Sequence, residues 1–334
     1  MFRRSMTVLV VLLVAVSATS FAEEQSEFIQ PAGVRGVYRL RGEYVGETIP
    51  QSDGEKAEAV APQLVARGGN AFYAVVYKGG LPGAGWKHGD EMFTGNGVVK
   101  DDITGVFTTD TCDRVAVQFK GKDVVVLKDG KAIRKYTKVT GKSPTLGKKP
   151  PQNAMVLFDG TSTGARNFKN GKIALGNLLK HDCESLAKFG DYQLHVEFRT
   201  PFMPYSRGQG RGNSGMYLQG RYECQILDSF GLEGKNNECG GIDSIAEPIV
   251  NTALPSLTWQ TYDVEFTAAR YTAAGEEVKN ARVTIRHNGV VIHNDLELPN
   301  GTPGKSPEGP GKGPLYLQGH GNPVVFKNVW AITR

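Results

Sequence analysis

The chain has 334 residues, 40% of them apolar and 22% charged. That is ordinary globular composition, with length enough for two domains. The formal charge of +5 includes Arg3 and Arg4, and the Lys-rich stretch 120–149 is broken by acids and apolar residues. Nucleic-acid binding wants a basic patch with a reading element, and none is evident.

Met1-Phe2-Arg3-Arg4 is followed by an apolar run from Val8 to Val16 and by Ser20-Phe21-Ala22. A basic head, a short apolar run and a small-x-small end predict a signal peptide over 1–22, hence an exported protein (periplasmic, cell-surface or secreted) starting at Glu23. The run is short for a membrane span, and no other stretch could form a transmembrane helix, so the mature chain is expected to have none.

Residues 36–140 read as a small β-rich domain of unassigned role. Val37–Val45 alternates, Ala71–Tyr77 is a short apolar run, and Val115–Phe119 and Val124–Leu127 follow. Asp129-Gly130 between two such runs predicts a hairpin. The one helix candidate is Glu55–Ala66. Residues 141–152 are rich in Pro and Lys without periodicity, and read as a linker.

From 153 onward, short strands alternate with turns, the pattern of a sandwich or barrel. In Tyr192–Arg199, the residues Tyr192, Leu194, Val196 and Phe198 are predicted inward, and His195, Glu197 and Arg199 outward. Asn213–Asp228 reads as two strands joined at Gly220–Arg221. Met216 and Leu218, with Tyr222, Cys224 and Ile226, would face the core. Tyr217 and Gln219, with Glu223 and Gln225, would face the other way. Trp259–Phe266 alternates, and Asn288-Gly289 marks another hairpin, flanked by His287 and His293, both expected exposed. Pro299–Pro314 is a long Gly/Pro loop whose length and position make it a candidate lid. The strand after it carries Tyr316, Gln318 and His320.

The cysteines are Cys112, Cys183, Cys224 and Cys239. In an exported protein these can pair, in three connectivities. Cys112 lies in a different domain from the rest, and Cys224 is read as a buried thiol or a bridge to Cys239. No C-x-x-C exists, so no metal is expected.

Leu157-Phe158-Asp159-Gly160, Tyr192–Arg199, Asn213–Leu218, Tyr222–Asp228, Trp259–Tyr262 and Gly313–Val329 occur in an order that resembles the 3-keto-disaccharide hydrolase domain, over roughly 153–334. The resemblance implies a fold similar to concanavalin-type lectins and laminarinases. The expected fold class is therefore all-β: a jelly-roll sandwich preceded by a small β-rich domain. Cys224 stands where the family has a small or aliphatic residue, and the Arg- and Gly-rich loop Pro204–Gly212 looks longer than typical. The fold can hold a structural Ca²⁺, but no acidic loop here demands one. No cofactor is predicted, and no protein partner is indicated.

If the polar strand faces share one sheet, they build a carbohydrate groove. Glu223, His320 and Arg199 are then the candidate catalytic residues. Gln225, Tyr217, Gln219, Gln318, Asn213, Glu197, His195 and Asp228 are candidate substrate contacts. Ordinary glycoside hydrolysis would pair Glu223 with Glu197 or Asp228. The resemblance implies another route on 3-keto-glycosides. A base removes the acidified C2 proton, the enolate is stabilised, and the aglycone leaves before water adds. Here His320 or Glu223 would serve as base or acid, and Arg199 or Gln225 would meet the oxyanion. Two readings compete with catalysis: a carbohydrate-binding, lectin-like envelope protein, and plain solvent-facing strands. Gly212–Met216 lacks the last glycine of a nucleophile elbow, and Gly208–Gly212 has no following helix to cradle phosphate.

Overall fold

The computed structural model describes residues 37–101, 104–109 and 114–334. The expected signal peptide and Cys112 lie outside the described residues. A single helical turn, Val37–Leu40, leads into the strands β1 (Gly42–Thr48), β2 (Ala59–Ala66), β3 (Ala71–Lys78), β4 (Met92–Val99), β5 (Thr104–Thr109), β6 (Arg114–Lys120), β7 (Asp123–Lys128) and β8 (Lys131–Val139). They close into a barrel of order β1-β8-β7-β6-β5-β4-β3-β2, every neighbouring pair antiparallel. Alternation does the sorting. Val115, Val117 and Phe119 of β6 turn inward to join Leu64, Phe72 and Tyr136, while their neighbours face out. The predicted hairpin is present: Asp129 and Gly130 take φ of 51° and 78°, the left-handed pair that a tight turn between twisted strands needs.

The helix expected over Glu55–Ala66 is instead strand β2. Residues 60–66 are all buried, with Val60, Leu64 and Ala66 in the barrel interior. A strand buried on both faces is an unbroken apolar run, which periodicity cannot tell from a buried helix. Pro62 is tolerated because the ladder to β1 skips Ala61 and Pro62.

The sandwich follows. Its main strands are β9 (Met155–Phe158), β10 (Cys183–Phe189), β11 (Tyr192–Arg199), β12 (Ser214–Leu218), β13 (Tyr222–Ile226), β14 (Gln260–Thr267), β15 (Ala281–His287), β16 (Val290–Leu298), β17 (Gly313–Leu317) and β18 (Val325–Thr333). The larger sheet runs Ile173–Ala174, Leu178–Lys180, β18, β11, β14, β15, β16, with β9 also on β18. The smaller runs Phe168–Lys169, β10, β17, β12, β13. Leu194, Val196 and Phe198 from one sheet share a core with Met216, Leu218, Cys224 and Leu315 from the other. The chain is thus all-β, as the alternation predicts, and among the described residues no helix is long and apolar enough to cross a membrane.

Phe202 and Leu257 of the sandwich pack into the barrel's core cluster, and two loops add further contacts. The Arg- and Gly-rich loop docks the barrel: Arg207 and Arg211 donate to the carbonyls of Arg67 and Ala66, and Tyr205 Oη accepts from Gly69 N–H. Segment 141–149 has no regular structure, yet it is pinned across the outer face of the larger sheet. There Ser143 bonds Thr261, Thr145 bonds Asp263, and Gly147 donates to Glu197.

His287 and His293, expected exposed, are buried at 0% and 3% exposure. Val283, Ile285 and His287 share the inward parity of β15, so the hairpin turn begins one residue too late to expose the ring. His287 stacks on Phe198 and Tyr262 and bonds Gln260 Oε1 and Thr252 Oγ1, each at 3.0 Å. Cys183, Cys224 and Cys239 are buried free thiols. Cys239 Sγ lies 3.2 Å from Tyr262 Oη, which donates to the Gln225 carbonyl.

Candidate active site

Because Met216, Cys224 and Ile226 point into the core, the residues between them must point out. Register then aligns them. Tyr217 faces Glu223 on β13 and Tyr316 on β17, with Glu184 of β10 beyond Tyr316. One step along, Gly215 faces Gln225 and accepts the Gln318 N–H. Gly215 leaves the carboxyl its room, since a Cβ there would fall 2.1 Å from Glu223 Oε1. Tyr217 Oη donates to Glu223 Oε2 at 2.7 Å and accepts from the Gln318 amide at 3.1 Å.

The Gly/Pro loop lies across this row. Thr302 Oγ1 accepts the Glu223 N–H at 2.8 Å, and the Pro303 carbonyl is 3.2 Å from Tyr217 Oη. Gly304 rests on the Tyr217 ring, where a Cβ would come within 2.4 Å. The Lys305 ammonium sits 4.4 Å over the Tyr316 ring and 3.6 Å from Glu184. Glu223 and Gln225 are only 5% exposed each.

Burial pushes the Glu223 carboxyl up to about 7. The Tyr217 hydrogen bond pulls it back, and the Asp243 charge adds to the rise. A carboxyl so poised can hold or release a proton near neutrality. Burial, with the neighbouring Glu223, also pushes the Tyr217 phenol well above its ordinary value. Asn213 donates its amide to the backbone and side-chain oxygens of Gln209, at 2.9 and 2.8 Å. Gln209 Oε1 lies 3.4 Å from Gln225 Nε2. Asn213 Oδ1 and Gln318 Oε1 are buried with no donor among the described residues. Buried acceptors ordinarily have partners, which water or the hydroxyl groups of a ligand would supply.

Glu223, Gln225, Tyr217, Gln318 and Asn213 are therefore brought together, and the other candidates are not. His195, Glu197 and Arg199 are on β11, in the other sheet and on its outer face, so the premise of a shared sheet fails for them. His195 Nδ1 bonds Asp263 at 2.8 Å, Nε2 lies 3.4 Å from Glu197, and the ring stacks on Trp330. The Arg199 guanidinium lies 4.9 Å over Trp259. Asp228 follows the end of β13 and binds Arg211 Nε at 2.8 Å, within the barrel-docking contact. Gln219 sits in the hairpin turn at φ 53° and braces the Phe189 carbonyl. The pairing Leu218↔Tyr222 makes that turn Gln219–Arg221, one residue longer than expected. His320 is exposed beyond the end of β17, on the turn between Gln318 and Asn322. Both of these bond the backbone at the start of β12, which places His320 at the rim of the row. Gln209, Thr302 and Asp243 escaped sequence reasoning because all three lie on loops, where no alternation marks them.

The pairing of Glu223 with Glu197 or Asp228 thus has no geometric basis. Among the described residues no cluster of three His, Cys, Asp or Glu could hold a metal ion.

A family model for the 3-keto-alpha-glucoside-1,2-lyase-like domain matches residues 123–332. The chain belongs to this family. The match begins earlier than the resemblance at 153 implied, at the start of β7. No curated protein matches the chain. Among solved structures, three candidate glycosyl hydrolases from Parabacteroides distasonis are similar. One is 29% identical, with 55% of this chain and 84% of that one covered and a TM-score of 0.49. The second is 17% identical, covering 54% and 99% with a TM-score of 0.38. The third is 18% identical, covering 58% and 94% with a TM-score of 0.35.

Proposed function

We propose that this glycoside-acting chain is exported and cleaves 3-keto-glycosides by base-assisted elimination, with Glu223 as the base. The observation that carries the reading is the row Gln318–Tyr217–Glu223, with Tyr217 and Glu223 buried beneath the Gly/Pro loop. Of the carboxylates considered as partners for ordinary hydrolysis, Glu197 and Asp228 are engaged elsewhere. Elimination needs a single base.

A keto group at C3 acidifies the C2 proton. Glu223 takes that proton, the electron pair moves into an enolate on the C3 oxygen, and the C1–O bond breaks as the C1–C2 double bond forms. Gln225 Oε1 accepts the Ile226 N–H at 3.0 Å, and its Nε2, 3.4 Å from Gln209 Oε1, is the donor assigned to the enolate oxygen. His320 is assigned to protonate the departing oxygen. Water then adds across the double bond, giving the free keto sugar. Substrate reaches Glu223 when residues 299–312 lift from Tyr217. The basic head and apolar run before Ala22 support export, and a purified native chain starting at Glu23 would test it.

The test of the chemistry is incubation of the protein with 3-keto-glucosides and with their non-oxidised parents. Release of the aglycone from the keto sugars alone is expected. Glu223→Gln and His320→Ala should each lower turnover by about 100-fold or more, the usual scale for general acid–base groups. Near-normal rates in both variants would sink the assignment. Tight sugar binding by wild type without turnover would make the chain a lectin instead.

A further inference from the structure

The barrel is closed at one end and open at the other. Tyr38 and Leu40, just ahead of β1, pack with Phe202 and Leu257 of the sandwich on the barrel core, and the Tyr38 and Phe202 rings meet edge to face at 5.1 Å. The opposite end is marked by the pair Thr48↔Arg134, where β1 finishes. There a cavity of about 440 Å³ forms the mouth, within the range of small-ligand pockets. A narrower space of about 50 Å³ continues inward between Phe72, Val117 and Tyr136. Val76, Phe107, Val115 and Arg134 line both spaces, so the two are continuous. An eight-stranded barrel is wide enough inside for its own side chains or for one small ligand. Here the Phe72 and Phe107 rings lie parallel across the middle, 6.2 Å apart. They rest on Gly97 and Gly95 of β4, where a Cβ would fall 2.1 and 2.6 Å from them. The rings fill the middle of the barrel and leave the wide space at its mouth.

The mouth is largely apolar, and its charge is of one sign. The inward parity of Gly95 and Gly97 carries Phe93 to the rim, 41% exposed, beside Val76 and Ile133. The inward parity of Val126 on β7 and Tyr136 on β8 carries Lys128 and Arg134 to the same rim. Among the described residues no Asp or Glu lines either space. Arg134 Nε is buried with no hydrogen-bond partner among the described residues. A buried guanidinium edge left unpaired is costly, and a carboxylate answers it with two parallel bonds. The geometry points to a ligand site in the barrel mouth for alkyl carboxylates of the fatty-acid class, the chain against Phe93, Phe107 and Val115 and the carboxylate on Arg134. It rests on the barrel alone and does not require that Glu223 be a catalyst.

The test is calorimetric titration of the full chain with octanoate, decanoate and dodecanoate, below their micelle concentrations, and with the alcohols of the same lengths. Saturable binding of at least one acid is expected, about tenfold or more tighter than its alcohol, the scale of a hydrogen bond to a charged group. Arg134→Gln should weaken the acid about tenfold or more and leave the alcohol within about twofold, removing the preference. Arg134→Lys should restore most of it. Phe93→Ala, at the exposed rim, should weaken acid and alcohol alike, by about fivefold or more for the apolar area lost. The ratio of acid to alcohol is read within each protein, so a loss of stability in one variant does not mimic the result. No saturable binding of any acid overturns the proposal. So do equal affinities for acid and alcohol in the wild type, and acid binding that survives both Arg134→Gln and Phe93→Ala unchanged. Aglycone release from 3-keto-glucosides tests Glu223 alone, so the two ideas fail separately.

Discussion

The Tyr217 hydroxyl donates to Glu223 at 2.7 Å across the β12–β13 ladder, and that bond opposes the burial that raises the carboxyl. As a base, Glu223 works only when ionised. Activity is therefore expected above about pH 7 and lost as pH falls through it. Tyr217→Phe removes the stabilising donor and should move the acid limb of kcat/KM up, by about one pH unit on the usual scale of a charge-assisted bond. Asp243→Asn removes a like charge and should move it down. A limb that shifts in neither variant would mean that another group titrates.

Gly215 supplies the floor under the Glu223 carboxyl. Gly215→Ala would thrust a methyl group to 2.1 Å from Oε1. The side-chain end can swing aside, so folding should survive with a small change in Tm. Turnover should fall by roughly 100-fold, the scale of losing a general base. A well-folded, fully active variant would show that the carboxyl need not sit there.

Burial lowers His287 to about 3. An unfolded histidine titrates near ~6.5, so between these values the unfolded chain binds a proton that the folded chain refuses. Stability from this group is complete above the unfolded value and drains as pH falls, by about 1.4 kcal/mol per pH unit. His287→Phe keeps a ring against Phe198 and Tyr262 but gives up the bonds to Gln260 and Thr252. It should be less stable at pH 7, with a shallower loss in acid, as urea titrations at several pH values would show. Parallel slopes would contradict it.

His195 bridges Asp263 and Glu197 under the strap 141–149. Burial disfavours its charge, but the two carboxylates outweigh burial and hold it raised. His195→Ala leaves both acids without it, a loss of about 3 kcal/mol on the scale of broken buried pairs. Glu197 also anchors the Gly147 N–H. Faster hydrogen exchange at Gly147, with catalysis retained, is the expected outcome. A loss of catalysis at normal stability would return His195 to the active site.

The row around Glu223 was legible because alternation is local. Met216, Leu218, Cys224 and Ile226 face inward, which forces Tyr217, Glu223 and Gln225 onto one face whatever the sheets do. The same rule sorted His195, Glu197 and Arg199 to the outside of β11, correctly. It could not say which sheet that outside belonged to. His287 was misjudged because its exposure hung on where the hairpin began. Thr302, Asp243 and Gln209 left no trace, since loops carry no period.

By itself, then, the sequence determined the all-β class, the faces of the strands, the hairpins at Asp129-Gly130 and Asn288-Gly289, and the family resemblance. Each depends on residues a few positions apart. Tertiary structure decided that β11 and β13 belong to different sheets, which separates Arg199 from Glu223. It also closed the barrel, laid Gly304 on Tyr217, and buried Glu223 deeply enough to shift its proton affinity. Those outcomes depend on which strands pair across long stretches of chain and on how much water the packed loops exclude, and no local pattern encodes either.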